Sequence, residues 1–92
     1  MSLAVDIIKN GGTSERFNRD KLHKSIVAVC LSVRAPQGQA ESTAHSVCDA
    51  VVVWLQDRPE VTSQDIRTVA GKYLKRFHPE AAYLYEQHHK II

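Results

Sequence analysis

Apolar positions recur along most of this chain at helical spacing, and only its beginning reads as extended. From Arg19 onward Leu22, Ile26, Val29, Cys30 and Val33 follow the i, i+4, i+7, i+8 spacing of one helical face. Asn18 suits the N-cap of that helix, and Phe17 against Leu22 has the N′ to N4 spacing of a hydrophobic staple. The breaker Arg34-Ala35-Pro36-Gln37-Gly38 precedes a second helix, predicted from about 40 to 57, with Ala44, Val47, Cys48, Val51 and Leu55 on one stripe and Pro59 as its stop. Thr62-Ser63-Gln64-Asp65 has the form of a capping box with Asp for the usual Glu or Gln, and Val61 against Ile66 repeats the staple. A third stripe runs through Ile66, Val69, Ala70, Tyr73, Leu74 and Phe77, and Pro79 opens a fourth helix through Ala82, Tyr85 and His89.

The extended part is Val5-Asp6-Ile7-Ile8-Lys9-Asn10-Gly11-Gly12 followed by Glu15-Arg16-Phe17. An Asn-Gly-Gly turn between two such segments supplies the positive φ that a tight hairpin needs. Four amphipathic helices and one hairpin bury all their faces only if the hairpin lies across the bundle as a lid, with Glu60-Val61 available as a third short strand. The expected fold is therefore α+β: a four-helix bundle capped by a small hairpin or three-stranded sheet. Lys9, ending the first strand, and Lys21, in the first turn of the first helix, then converge near exposed helix amides, and a cation pair in that place is an anion site.

Composition narrows the class without choosing a function. Ninety-two residues, 43% of them hydrophobic, make one core and one domain, with its ordered part expected from about 4 to 91. A formal charge of +2 is far from that of a dedicated nucleic-acid binder, so anion selectivity must come from local placement. The longest apolar run, Ala50-Val51-Val52-Val53-Trp54-Leu55, is too short to span a membrane, and Asp6 stands where a signal peptide would be apolar. These features predict a cytoplasmic protein without membrane attachment. Cys30 and Cys48 fall on apolar stripes without a Cys-x-x-Cys spacing and read as buried thiols.

The quoted motifs resemble the ATP-cone domain, the nucleotide-sensing module of ribonucleotide reductases and of the repressor of their operons. Lys9-Asn10-Gly11-Gly12 is similar to the family's Lys-Arg-Asp-Gly, and Glu15-Arg16-Phe17-Asn18-Arg19-Asp20-Lys21 to its Glu-x-Phe-Asp/Asn-x-x-Lys. Glu60-Val61-Thr62-Ser63-Gln64-Asp65-Ile66 is similar to its Val-Thr-Ser-x-x-Ile helix start, and His78-Pro79-Glu80-Ala81-Ala82-Tyr83 to its Asp-Pro-x-Ala-Tyr element. The resemblance implies ATP or dATP, with Mg²⁺, as a regulatory ligand. It puts Lys9 and Lys21 on the phosphates, Glu15 and Asn18 around the adenine, and Thr62, Arg67 and Lys90 among the remaining contacts, Lys90 closing over the phosphates. Asn10 replaces the Arg of the turn, which removes one phosphate cation, and Arg16 stands where many members carry Pro and offers a positive charge in return. Arg67 occupies the place where some reductase members sense the sugar with a His.

No Ser or Cys nucleophile in a recognisable setting, no facing carboxylates and no Walker-type loop stand in the sequence, so the chain is expected to be a non-enzyme. Glu86 and His89 at i, i+3, with His88 adjacent, would need His45 or His78 nearby to hold a metal, and the reading taken is a solvated face with no metal site. With neither reductase nor zinc ribbon beside it, the cone would act through self-association or on a separate regulated protein. The alternative is a helical protein or nucleic-acid interaction module, resting on Arg19, Lys21 and Lys24 of the first helix; nucleic acid is the less expected partner.

Overall fold

The computed structural model describes residues 5–9, 11–58 and 60–87, in the order β1 (Asp6–Ile8), β2 (Ser14–Arg16), α1 (Arg19–Ser32), α2 (Gln37–Leu55), β3 (Glu60–Thr62), α3 (Ser63–Phe77) and α4 (Pro79–Gln87). The fold is α+β, four helices with a three-stranded mixed sheet in the order β2-β1-β3. β1 pairs antiparallel with β2, Ile7 opposite Glu15, and parallel with β3, Ile7 opposite Val61. Gly11 and Gly12 carry the hairpin turn at φ +95° and +86°, a region in which a side chain would be strained.

Side chains alternate along a strand, and paired residues share a face. Val5, Ile7, Phe17 and Val61 are the buried positions of the sheet and its flanks. Glu15, in register with Ile7, lies on that inward face, and Lys9 keeps its parity. Asp6, Arg16 and Glu60 form the opposite row, where Arg16 Nε donates to Asp6 Oδ1 at 3.3 Å.

The helices begin as their caps dictate. Asn18 Oδ1 accepts from the Lys21 backbone N–H at 3.2 Å, with Phe17 and Leu22 both buried beside it. Thr62 Oγ1 accepts from the Asp65 N–H at 3.0 Å while Asp65 Oδ2 accepts from the Thr62 N–H at 3.1 Å, a complete capping box. α1 ends in a Schellman motif, Ala35 N–H to Cys30 O and Arg34 N–H to Leu31 O, with Arg34 at φ +66°.

α2 differs from the expected 40–57 at both ends. Pro36 is already extended and its carbonyl takes the first helical bond from the Ala40 N–H at 2.8 Å, so the helix opens at Gln37 and includes Gly38 in its first turn, where amides lack partners in any case. At the other end Gln56 N–H tightens onto Val53 O and Arg58 N–H onto Leu55 O. Arg58 also donates to Trp54 O at 2.7 Å and stacks on its ring, with the helix closing at Leu55. Pro59 lies outside the described residues.

α2 carries the centre of the core: Ala40, Ala44, Val47, Cys48, Val51 and Leu55 are fully enclosed, packed against α1 and α3. α4 covers α3 and the flank of α1 through Ala81, Ala82 and Tyr85. Both thiols are buried and unbridged, and burial pushes the Cys48 thiol up to about 11. Phe77 departs from the expected stripe: it ends α3 half exposed, one residue before the chain turns at His78.

Candidate functional site

The sheet's inward face, the first turns of α1 and α3, and Tyr85 of α4 enclose a cavity of about 320 Å³. Its apolar wall is Ile7, Phe17, Leu22 and Ile66. Lys9, Glu15, Asn18, Lys21, Ser63 and Arg67 supply its polar groups. Each arrives by local rules stated above: strand parity for Lys9 and Glu15, the cap and third helical position for Asn18 and Lys21, the first residue of a capped helix for Ser63 and the same helix one turn on for Arg67. Two helix N-termini therefore open on one space, and each contributes partial positive charge there.

A single oxygen organises the mouth. Glu15 Oε1 lies 3.2 Å from Lys9 Nζ and 3.3 Å from Lys21 Nζ, all three side chains being nearly half exposed. The hydrogen bond from Lys9, with a smaller contribution from Lys21, holds the Glu15 carboxyl below its ordinary value despite some opposing desolvation. Three cations and one carboxylate line the cavity, and the carboxylate is spent on two of the cations. Ammonium groups held this way are of the type that donate charge-assisted hydrogen bonds to an anionic ligand.

The inner wall is of another kind. Tyr85 is 1% exposed, its hydroxyl is shielded from solvent, and no hydrogen-bond partner for it exists among the described residues. Desolvation raises its pKa to about 12, so it is a neutral phenol at any physiological pH.

The ATP cone domain family matches residues 5–90. The chain belongs to this family. The transcriptional repressor NrdR of Crocosphaera subtropica (strain ATCC 51142 / BH68) is a relative, 30% identical over 82 residues, which are 87% of this chain and 41% of that protein. The chain thus spans less than half the length of this curated relative. No solved structure matches it. ATP cones are nucleotide-binding regulatory domains related to the control of ribonucleotide reductase, with ATP or dATP as the regulatory ligand, and the domain is not a catalytic one.

In this cone Lys9, Glu15, Asn18, Lys21 and Arg67 meet at one cavity. Arg16 does not line it: the strand turns its side chain to the Asp6 row, where it pairs with Asp6. Thr62 is exposed and committed to the α3 cap, next to the lining Ser63. Asn10 and Lys90 lie outside the described residues, as do His88 and His89. Among the described residues no three His, Cys, Asp or Glu side chains group to hold a metal. His45 Nε2 pairs with Asp49 at 3.2 Å, and His78 Nδ1 accepts from the Ala81 N–H at 3.4 Å. No described helix is long and apolar enough to cross a membrane.

Sequence reasoning did not connect Ile7, Ser63, Ile66 or Tyr85 with the site. Ile7 read as part of the first strand, Ser63 as part of the capping box, Ile66 as the start of the third apolar stripe and Tyr85 as a position of the fourth helix beside Ala82 and His89.

Proposed function

We propose that this cone binds an adenine nucleoside triphosphate, ATP or dATP with Mg²⁺, in the cavity under the sheet and acts as an allosteric regulatory module. The observation that carries the reading is the sharing of Glu15 Oε1 by Lys9 and Lys21 at the mouth of a cavity with one apolar wall. The lysines release the carboxylate and take the phosphates, the freed Glu15 accepts from the exocyclic amine of the base, and the Asn18 amide nitrogen remains available to the base while its oxygen caps α1. The flat base lies along Ile7, Phe17, Leu22 and Ile66.

A regulatory domain transmits binding only by differing in the surface it offers when loaded, and the coupling cannot exceed the ligand's differential affinity for the two states. Self-association or a separate regulated protein reads that surface. The relation to a transcriptional repressor brings nucleic acid into view as a second partner. Support for it is weaker, because two of the three basic residues on α1 are engaged: Arg19 with Asp49 at 2.6 Å and Lys21 with Glu15.

Calorimetry of the protein with Mg²⁺ and ATP, dATP, GTP, CTP or AMP tests the reading, with Lys21→Ala beside the parent. Adenine triphosphates are expected to bind best. Lys21→Ala deletes one charge-assisted contact of about 1.5–3 kcal/mol, a loss of roughly tenfold to hundredfold in affinity. Its melting temperature without ligand stays close to the parent's. No binding of ATP or dATP at millimolar concentration overturns the proposal.

A further inference from the structure

We propose that the Tyr85 hydroxyl is a direct contact for the nucleoside half of the ligand at the buried inner wall of the cavity, a specificity-determining group distinct from the lysines at the mouth. The proposal rests on the nucleotide reading above and adds a residue to it.

Tyr85 is among the largest fully buried side chains of the protein, and it lines the cavity. Its ring is explained by packing between α3 and α1, but its hydroxyl is not. Phenylalanine would fill the same volume without burying a polar group that has no partner among the described residues. A shielded hydroxyl of this kind is satisfied when a ligand brings the partner.

The kind of partner follows from the neighbours. Arg67, on the adjacent α3, lines the same cavity, and its charge acts on the Tyr85 hydroxyl. A guanidinium only donates, whereas a phenol donates or accepts. The pair therefore suits a neutral group with acceptor character, such as a ring nitrogen or a sugar hydroxyl. A neutral phenol deep in the wall adds no charge to hold a triphosphate, and Lys9 and Lys21 at the exposed mouth already provide it.

Tyr85→Phe removes one oxygen and keeps the ring, so folding is retained. ATP affinity is measured by calorimetry for parent, Tyr85→Phe and Lys21→Ala over a series of salt concentrations, together with the melting temperature of each without nucleotide. Expected for Tyr85→Phe are an affinity lower by about tenfold, a salt dependence equal to the parent's, and a ligand-free melting temperature equal or higher. Lys21→Ala flattens the salt dependence, because ionic contacts are the ones that salt screens. Equal ATP affinity in Tyr85→Phe and parent overturns the proposal, and so does a flattened salt dependence in Tyr85→Phe. A ligand-free melting temperature several degrees below the parent's also overturns it, since the hydroxyl then has its partner inside the protein. A parent that binds no ATP removes the nucleotide reading itself, a result distinct from a parent that binds and a phenylalanine variant that binds as well.

Discussion

The two sides of α1 belong to different kinds of protein matter. Its length from Ile26 to Cys30 packs on α2, where Val47, Cys48, Val51 and Leu55 are sealed from solvent. Its first turn, by contrast, faces a cavity whose lining includes a carboxylate, two further cations and a phenol with no hydrogen-bond partner among the described residues. The core side is redundant: many side chains of one chemistry share the burial, and no single atom has a task of its own. At the cavity individual atoms do, as when one oxygen of Glu15 holds two ammonium groups. Stability should therefore respond to the core and affinity to the cavity, with little exchange between them.

The largest effect expected breaks the core. Leu55→Ala removes a fully enclosed side chain at the end of the α2 stripe and leaves a cavity beside it. Substitutions of this type cost about 2–5 kcal/mol, a large part of the stability of a domain this small. Thermal or urea unfolding checks the cost. Where the variant is folded, saturating ATP should raise its melting temperature by an increment similar to the parent's, because no cavity residue has changed. A variant with near-parent stability and lost nucleotide response would invert the division drawn here.

The division also governs what could be read from the chain. Helical stripes and caps are repeated or local signals, so the hairpin, the third strand, the α1 and α3 starts and the α2 core stripe were all legible. Asn18 and the Thr62 to Asp65 box need only three residues of context. The start of α2 was missed because Pro36 serves as an extended lead-in as readily as a breaker, and the choice depends on how α1 closes at Arg34. The end of Phe77's stripe in solvent depends on where α4 turns away, which periodicity does not report. At the cavity the family pattern named Lys9, Glu15, Asn18, Lys21 and Arg67, which the fold brings to one lining, and also Arg16, which it does not. Arg16 is adjacent to Glu15 in the chain, and strand alternation places the two on opposite faces of the sheet. Tyr85 was legible only as a position of the fourth helix, and its place in the cavity wall, with a hydroxyl that has no partner among the described residues, comes from the fold.

A middle-sized effect sharpens the boundary between the regions. Thr62 is where they meet, since its side chain caps α3 while its neighbour Ser63 lines the cavity. Thr62→Ala removes the acceptor of the Asp65 N–H while the Asp65 carboxylate keeps the backbone N–H of residue 62, at a cost of about 1 kcal/mol. If Thr62 acts only as a cap, melting temperature falls by a few degrees and ATP affinity stays within about twofold of the parent's. An affinity loss as large as that of Lys21→Ala, at the same salt, would instead place the Thr62 hydroxyl on the ligand.

The smallest effect belongs to the internal ion cluster and is read through pH. The folded Glu15 carboxyl is held below its ordinary value near 4.5 by Lys9 first and Lys21 second. A group whose folded pKa is depressed binds fewer protons in the native state, so its pairing stabilises the protein above the unfolded pKa and is lost as pH falls through the folded one. Exposed pairs of this kind contribute within about 1 kcal/mol, and salt screens them further. Glu15→Gln should therefore lower stability slightly at neutral pH, leave it unchanged at strongly acid pH, and so flatten the small loss that the parent shows as pH falls below 4.5. Its effect on ligands is of opposite sign for the two halves of a nucleotide. The lysines lose their internal competitor and hold inorganic triphosphate more tightly, while the base loses a charged acceptor. The expected outcome is a higher affinity for inorganic triphosphate in Glu15→Gln, with a narrower margin between ATP and GTP. An unchanged triphosphate affinity across the two proteins would show that Glu15 does not compete for the lysines, and the exchange of carboxylate for phosphate would have to be abandoned.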